Sequence, residues 1–339
     1  MSERDAILLR DVAGVSDDVA EMLAGLGFLD AEQLLGAAEV EGVGLHLAEA
    51  LSVSDAELAD VIDAARRVAS LPALEDLGAA PGAFGALPPT AAISADIAAL
   101  RAAVARPEAI LPPAVSLVSQ MPPVRNQGPR GTCVAFALSA VHEQHRRGMG
   151  HAEDLSEQFL YHETKRIDGA AGSCGTWQMK ALEVLSQLGE CREAVWSYNS
   201  TPPCNHNGTP PAAARADAAR RKCTPVVLDP RDVLGAKTLL AAGRAVGVSI
   251  PVYRSWANSF AVRATGRITL RIASEPAIGG HAMCLVGYRD HPQYPGGGYF
   301  IVRNSWGQAW APASVHGSGY GSLPYAYIAQ DSWELVSVA

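Results

Sequence analysis

The stretch PPVRNQGPRGTCVAFA, residues 122–137, decides the fold expected for this chain of 339 residues. A loop rich in proline and glycine delivers Cys133 to the first turn of a predicted helix that runs through Glu143. Unpaired amides and the positive end of a helix dipole favour thiolate over thiol, and the thiolate is the nucleophile. A lone cysteine at a helix start is more often a small buried residue. The stretch therefore predicts a nucleophile only if partners lie elsewhere in the chain.

Two later stretches supply such partners. GGHAMCLVGY, residues 279–288, has strand composition after its glycines and carries His281 at the strand start. YFIVRNSWG, residues 299–307, is a predicted strand that ends at Asn304. An asparagine there can hold one imidazole nitrogen and leave the other facing a sulfur atom. The three stretches predict a Cys, His and Asn arrangement for nucleophilic catalysis.

Together the three stretches resemble the papain-like (C1) family of cysteine peptidases, over essentially all of residues 111–339. The resemblance implies an α+β fold of two lobes, with the nucleophile helix in a helical lobe and the His and Asn in a β-barrel-like lobe. It also implies that Cys133 is the nucleophile, His281 the base, Asn304 the orienting amide and Gln127 the oxyanion glutamine. His281 follows Cys133 by 148 residues, which is typical of the family, whereas Asn304 at 171 lies beyond the usual spacing.

Five residues are similar to the family's substrate-binding groups. Gly175, Thr176 and Trp177 resemble the segment whose backbone pairs with an extended peptide by strand addition. Gly280, next to the base, is expected in the same cleft. Trp306 resembles the aromatic residue that shields the bond between His and Asn from water, which strengthens that bond.

The chain also departs from the best-known eukaryotic members. Arg130 and Val134 stand where those members have a cysteine and a tryptophan. The resemblance therefore implies that this chain lacks the first disulfide of those members, and its sequence around Cys133 resembles that of bacterial members. Thr176 replaces the second glycine of the substrate-aligning segment. The first 110 residues show nothing like the long helical pro-region of the animal and plant enzymes.

Residues 1–70 are predicted to form a small all-α domain of short helices. Ser16, Asp30 and Ser54 are candidate N-caps, each just before a run of apolar residues at helical spacing. Glu57 follows Ser54 in the spacing of a capping box.

Two related turns in this domain, VAGV at 12–15 and VEGVG at 40–44, resemble a tandem helix-hairpin-helix module. Such modules often bind DNA, but residues 1–70 carry 15 acidic and 4 basic residues, against a net charge of -8 for the whole chain. An acidic surface repels phosphate. No nucleic-acid partner is expected; docking of a protein partner, or a structural role, is favoured for residues 1–70.

Residues 71–110 are rich in Ala, Pro and Gly, with one helix predicted over 94–105. A linker is the favoured interpretation. Because this stretch directly precedes the peptidase-like region, an inhibitory segment lying across the active site is the alternative.

Composition and charge restrict the remaining possibilities. No apolar run reaches the roughly 18 residues of a membrane span, and the charged N-terminus does not resemble an export signal. A cytoplasmic chain is therefore expected, with no membrane contact, cofactor or metal. His142, His145 and His151 are expected to be solvated residues of one helix.

Four residues of one Pro/Asn-rich stretch leave alternatives open. Cys191, Cys204, His206 and Cys223 are expected to be free side chains of a surface insertion. A zinc clip of all four, or a disulfide between Cys204 and Cys223, is the alternative. Cys174 is expected to line the cleft.

The function expected from these observations is a cysteine endopeptidase that acts on a protein or peptide through a thioester on Cys133. Residues 1–70 would serve as its adaptor or regulator. Acyl transfer to an amine or attack on a side-chain amide would use the same thioester. An inactive scaffold is the alternative from another class, and it is disfavoured because all four catalytic positions are filled.

Overall fold

The structure is a computed structural model that describes residues 7–69, 83–101, 110–201 and 208–339. Its helices are α1 (Asp17–Gly25), α2 (Ala31–Ala38), α3 (Val43–Leu51), α4 (Asp55–Val68), α5 (Ala91–Leu100), α6 (Cys133–Gly148), α7 (Glu157–Ile167), α8 (Gln178–Gln187), α9 (Ala214–Ala218), α10 (Val233–Ala241), α11 (Arg254–Ala257), α12 (Phe260–Thr265) and α13 (Tyr325–Asp331). Short 3-10 helices span Leu9–Asp11 and Val118–Gln120. The strands are β1 (Ala114–Ser116), β2 (Pro225–Val227), β3 (Val246–Tyr253), β4 (Ala277–Asp290), β5 (Gly298–Arg303), β6 (Tyr320–Pro324) and β7 (Glu334–Val338).

Helices α1 to α4 form the N-terminal module, and α1, α2 and α4 begin at the predicted caps, whereas α3 follows Gly42 without a side-chain cap. The side chains of Ser16 and Asp30 accept the amides of Val19 and Gln33. Ser54 completes a capping box, in which it accepts the Glu57 amide while the Glu57 carboxylate accepts the Ser54 amide. Each cap satisfies amides that the first turn of a helix leaves unpaired.

The N-terminal module packs against α12 and the loop that follows it. Its apolar core is continuous with that of Phe260 and Ile272 in the peptidase-like region. Gly36 of α2 lies so close to this surface that a Cβ there would be 2.5 Å from Ser259 Oγ. Arg267 forms an ion pair with the buried Asp30. The apolar contacts and this ion pair together hold the N-terminal module against α12.

The strands form one antiparallel sheet of seven strands in the order β2, β7, β3, β4, β5, β6, with β1 paired to β4. Strand β4 is the longest and pairs with β3, β5 and β1. Helix α6 packs on β3 and β4 on one side and on α7 and α8 on the other. The cleft described below lies where α6 and α8 meet the start of β4.

Because α6 is surrounded, one prediction about it is wrong. His142 is only 1% exposed, and its Nδ1 lies 2.9 Å from the buried carboxylate of Glu190. His145 is half-buried, and His151 is exposed as expected. A polar residue on a helix is solvated only where no neighbouring element covers that face.

Helix α5 begins at Ala91, three residues before the predicted start, because Thr90 caps it by accepting the Ile93 amide. It ends at Leu100, and the predicted continuation to 105 lies almost entirely outside the described residues. Ile93 and Ile97 join the core of the peptidase-like region. Across the parts of the chain that the structure describes, none of the helices has the length and apolar character needed to span a bilayer.

Candidate active site

Cys133 is the first residue of α6, at the end of the Pro/Gly-rich loop predicted to deliver it. Its side chain is fully buried, and the sulfur accepts a hydrogen bond from the Ala282 amide at 3.4 Å. Ala282 lies on β4 directly after His281. The pairing of sulfur and amide thus brings the predicted base next to the predicted nucleophile.

The imidazole of His281 is oriented by Asn304, which directly follows β5. His281 Nε2 and Asn304 Oδ1 are 2.8 Å apart, and the same oxygen accepts the Ser305 amide at 2.8 Å. Since Oδ1 can only accept, Nε2 carries the hydrogen. Nδ1 has no hydrogen-bond partner among the described residues. Its lone pair is therefore the one available to take the proton of the thiol.

Trp306 covers the bond between His281 and Asn304. Its ring centroid lies 4.7 Å from that of His281 at an interplanar angle of 31°, and the side chain is 6% exposed. Exclusion of water lowers the local dielectric and strengthens the hydrogen bond beneath the indole. The expected shielding position is the one that Trp306 occupies.

Gln127 is held with its side-chain amide pointing into the cleft. The Ser305 hydroxyl donates to Gln127 Oε1 at 2.6 Å, which leaves the Nε2 group as the donor. Nε2 donates to the carbonyl oxygens of Arg130 at 2.7 Å and of Ala83 at 2.8 Å. The carbonyl of Ala83 belongs to the stretch before α5, so the cleft already holds a peptide group of this chain.

The segment 83–88 runs through the cleft as an added strand. The amides of Gly85 and Ala86 both donate to the Gly280 carbonyl, at 3.1 and 3.0 Å. On the opposite edge, Thr176 donates to the Gly85 carbonyl at 2.9 Å and accepts the Leu87 amide at 3.0 Å. Ala86 and Thr176 form a parallel bridge, which gives the direction of the segment.

The fit of segment 83–88 is tight at two of its residues. A Cβ on Gly85 would lie 2.0 Å from the Gly131 carbonyl oxygen, so a glycine is required at this close approach. Phe84 lies over the base, with its ring centroid 6.2 Å from those of both His281 and Trp306. The Trp177 indole donates to the Pro88 carbonyl at 3.0 Å.

Burial beneath this segment makes both reacting groups neutral. It raises the pKa of the Cys133 thiol to about 11, against hydrogen bonds from the Ala282 and Gly85 amides that favour the thiolate. It lowers the pKa of His281 to about 4, although the Asn304 bond opposes that shift. Desolvation disfavours any charged form. The covered site therefore holds a thiol and a neutral imidazole.

The structure brings all nine predicted site residues to one cleft. Gly175 contributes by its lack of a side chain, because a Cβ there would lie 2.7 Å from Leu87 Cδ2. Its own amide and carbonyl are bonded to Ser173 and Lys165, so among the residues that the structure describes Thr176 alone supplies strand pairing on that edge. Sequence reasoning missed the segment 83–88 itself, because small apolar residues in a Pro/Gly-rich stretch carry no local signal of a binding site.

The cysteines outside the catalytic position divide into two kinds. Cys191, Cys223 and Cys284 are free thiols, so the alternative of a disulfide between Cys204 and Cys223 is wrong. Cys191 does not lie on a surface insertion as expected, because it is fully buried against Phe159. Cys174 is disulfide-bonded, which was not expected. Cys204 and His206 lie outside the described residues, and the zinc clip that needs them stays a prediction. Cys284 is buried in β4.

Comparisons with known proteins agree with this geometry. The sequence model of the papain family cysteine proteases matches residues 114–321. Xylellain, a cysteine protease from Xylella fastidiosa, has a similar solved structure, with a TM-score of 0.61 and 26% identity over 76% of this chain and 96% of that one.

Two curated relatives align with a smaller fraction of this chain. An uncharacterised peptidase C1-like protein of Acanthamoeba polyphaga mimivirus is 26% identical over 61% of this chain, and cathepsin J of Mus musculus is 28% identical over 56%. The chain spans 66% and 54% of the lengths of these two relatives. The family match covers more than half of the chain and confirms the predicted papain-like fold. The chain belongs to the papain family of cysteine proteases.

Proposed function

We propose that this protein is a cysteine endopeptidase whose own segment 83–88 covers the active site until it is displaced. The observation that carries the proposal is the bond from Gln127 Nε2 to the Ala83 carbonyl oxygen. This bond supports the proposal in two ways. The cleft accepts a peptide backbone, and Gln127, the residue assigned to the oxyanion, donates to a peptide carbonyl oxygen there.

In the proposed reaction, His281 takes the thiol proton and the Cys133 sulfur attacks a peptide carbonyl carbon. The oxyanion that forms is held by the Gln127 amide and by the backbone amide of Cys133, a contribution of roughly 3 to 4 kcal/mol per donor. His281 then protonates the leaving amine as the C–N bond breaks. Water attacks the thioester, releases the acid and restores the thiol.

The proposed inhibition follows from occupancy. A peptide substrate needs the same Gly280 carbonyl and the same Thr176 amide and carbonyl that segment 83–88 uses. Because the segment is part of the chain, its effective concentration at the cleft reaches roughly millimolar values. A substrate therefore competes poorly unless the segment leaves.

The covering segment lies between two parts of the chain that are each anchored on the peptidase-like region, which supports a regulatory role for the N-terminal module. On one side the module docks on α12. On the other side α5 packs into the peptidase core, and Arg101 pairs with Asp229 at 2.8 Å. A protein partner that pulls the module from α12 would loosen the first anchor, so residues 1–70 are proposed to be the regulator, with a protein and not a nucleic acid as the partner.

The compartment is proposed from the cysteines. The sequence favours the cytoplasm, but the disulfide at Cys174 favours exposure to an oxidising environment, since disulfides rarely persist in the cytosol. We therefore propose that the protein works outside the reducing cytosol.

The test is intact-mass spectrometry after treatment with an epoxide inhibitor of papain-like enzymes. A single adduct is expected on the natural chain and none on Cys133→Ala. Gly85→Ala should label at least about fivefold faster, because the added methyl group meets a backbone oxygen and overpacking costs about 1 to 3 kcal/mol.

Gly44→Ala is the matched control for Gly85→Ala. A Cβ on Gly44 meets nothing within 4 Å, so this variant should label at the natural rate. An adduct that persists in Cys133→Ala would remove the proposed nucleophile. Equal rates for Gly85→Ala and Gly44→Ala would remove the covering segment from the proposal, and no adduct on any variant would favour an inactive scaffold.

A further inference from the structure

Two adjacent residues behind the cleft touch its opposite edges. The Glu334 carboxylate accepts the backbone amides of Gln178 at 3.0 Å and of Met179 at 2.9 Å, both in the first turn of α8. The Trp333 ring packs on the α-carbon of Gly280, where a Cβ would lie 2.3 Å from the ring. One dipeptide thus contacts the helical edge and the sheet edge at the same time.

Glu334 is a buried carboxylate whose hydrogen bonds all come from neutral donors. Besides the two amides, the Ser249 hydroxyl donates to it at 2.9 Å. Burial raises the pKa of Glu334, and these three bonds oppose that shift. A buried carboxylate is tolerated only while its donors stay in place. The first turn of α8 is therefore held at a defined distance from β3 and β7.

Both edges that Trp333 and Glu334 contact carry the groups that bind a peptide. Thr176 lies two residues before Gln178 and bonds to Gly85 and Leu87 of the covering segment. Gly280 offers the carbonyl that accepts two amides of the same segment. A displacement of the first turn of α8 would move Thr176 relative to Gly280.

We propose that Trp333 and Glu334 form a brace that sets the distance between the Thr176 and Gly280 edges, and that Glu334 is a positioning residue for peptide binding. The proposal rests on the proposed peptidase function. An extended peptide must pair with both edges at once, and hydrogen bonds weaken steeply outside their normal distance and angle. A brace of this kind acts on binding of the peptide and not on the reactivity of the nucleophile.

Glu334→Gln tests the brace because it keeps the shape and replaces one acceptor oxygen by a donor group that faces an amide of α8. In the Gly85→Ala background, KM for a peptide long enough to reach Thr176 should rise about tenfold, with kcat changed by less than about threefold. Alkylation of Cys133 by iodoacetamide, a reagent too small to need Thr176, should keep its rate.

The matched control is Ser337→Ala, which removes a buried hydroxyl from the same strand. That hydroxyl donates to the Ala245 carbonyl at 2.7 Å and not to α8, so KM should stay at the natural value. Where Glu334→Gln does not fold, Ser249→Ala removes the third bond to the carboxylate, together with the bond that Gln178 Nε2 donates to the same hydroxyl at 2.8 Å, and is expected to raise KM in the same direction.

Hydrogen exchange, measured without the Gly85→Ala substitution, gives a readout that does not depend on catalysis. The Thr176 and Leu87 amides should exchange faster in Glu334→Gln and at the natural rate in Ser337→Ala. Unchanged exchange with unchanged KM would overturn the brace, as would a loss of kcat and of alkylation rate at constant KM. If Gly85→Ala cleaves no peptide even with Glu334 intact, the proposed peptidase function fails, while the exchange rates still decide the brace.

Discussion

The side-chain amide of Gln127 donates a hydrogen bond to the backbone carbonyl oxygen of Ala83, 44 residues earlier in the chain, at 2.8 Å. The donor assigned to the oxyanion is thus occupied by the protein's own backbone. The bond connects two properties that are otherwise separate, the chemistry of the cleft and the hold on the covering segment. Loss of the Gln127 amide should therefore weaken both, so that peptide cleavage in an uncovered cleft becomes slower while Cys133 in the natural chain becomes more accessible.

Gln127→Ala separates these two effects. In the Gly85→Ala background, where the segment is displaced, kcat for a peptide should fall about 10² to 10³-fold, because one preorganised oxyanion donor is lost. In the natural chain, the epoxide probe should label Cys133 faster, because Ala83 loses its partner. Gln187→Ala, which alters an exposed amide, is the control. A kcat that stays within twofold would exclude Gln127 from the reaction.

Asn304→Ala should impair the base and leave peptide binding intact. Removal of the 2.8 Å bond frees the imidazole to rotate and lowers the pKa of His281 further, since that bond raises it. In the Gly85→Ala background, kcat should fall about 10²-fold or more with KM nearly constant. Steady-state kinetics beside the exposed control Asn258→Ala measures this. A rise in KM at constant kcat would contradict the orienting role.

Opening of the cleft should depend on pH. The covered His281 has a pKa of about 4 against an ordinary value of 6.5, so from pH 6.5 down to 4 an uncovered imidazole takes up a proton that the covered one refuses. The free energy that favours the covered state is therefore fully present above pH 6.5 and is lost as the pH falls towards 4. Over this range the ratio of covered to uncovered molecules falls by up to about tenfold per pH unit. On the alkaline side, the raised pKa of Cys133 has the same consequence above 9.

The measurement for this pH dependence is the rate of epoxide labelling of the natural chain divided by that of Gly85→Ala at each pH. The division removes the pH dependence of the chemical step, which both chains share. The ratio should rise from pH 6.5 towards pH 4. A ratio that stays flat over this range would show that His281 keeps its ordinary pKa beneath the segment.

Gly36→Ala should weaken docking of the N-terminal module. The added Cβ would lie 2.5 Å from Ser259 Oγ and 2.7 Å from Ala261 Cβ, and overpacking of this kind costs about 1 to 3 kcal/mol. If the module anchors the covering segment, labelling of Cys133 should accelerate several-fold and Tm should fall. Gly25→Ala is the control, since a Cβ there meets nothing within 4 Å. A lower Tm with an unchanged labelling rate would show that docking of the module does not hold the covering segment in the cleft.

Much of the site was predictable because its signals are local. Glycine and proline ahead of Cys133, strand composition around His281, and a strand that ends at Asn304 each follow from nearby residues. The caps at Ser16 and Ser54 are local in the same sense. The order of these motifs was enough to predict the fold, and the match to the papain family confirms that prediction.

Other features depend on residues far apart in the chain. His142 was expected to be solvated, but it is buried against the carboxylate of Glu190, 48 residues later. Glu334 gives no sign in its neighbourhood that it contacts the start of α8, 156 residues earlier. Burial of a polar side chain is decided by which elements pack together, and local composition does not encode that.

The sequence by itself determined most of the helices and strands around the site, several of their caps, and the order of the candidate catalytic residues, because these depend on residue type and short spacing. Only the tertiary structure decided that segment 83–88 lies in the cleft and that Trp333 and Glu334 contact both of its edges. The physical reason is that strand pairing uses backbone amides and carbonyls, which every residue has. Such bonds leave almost no trace in the choice of side chains, apart from the glycine at 85 that close approach to Gly131 requires.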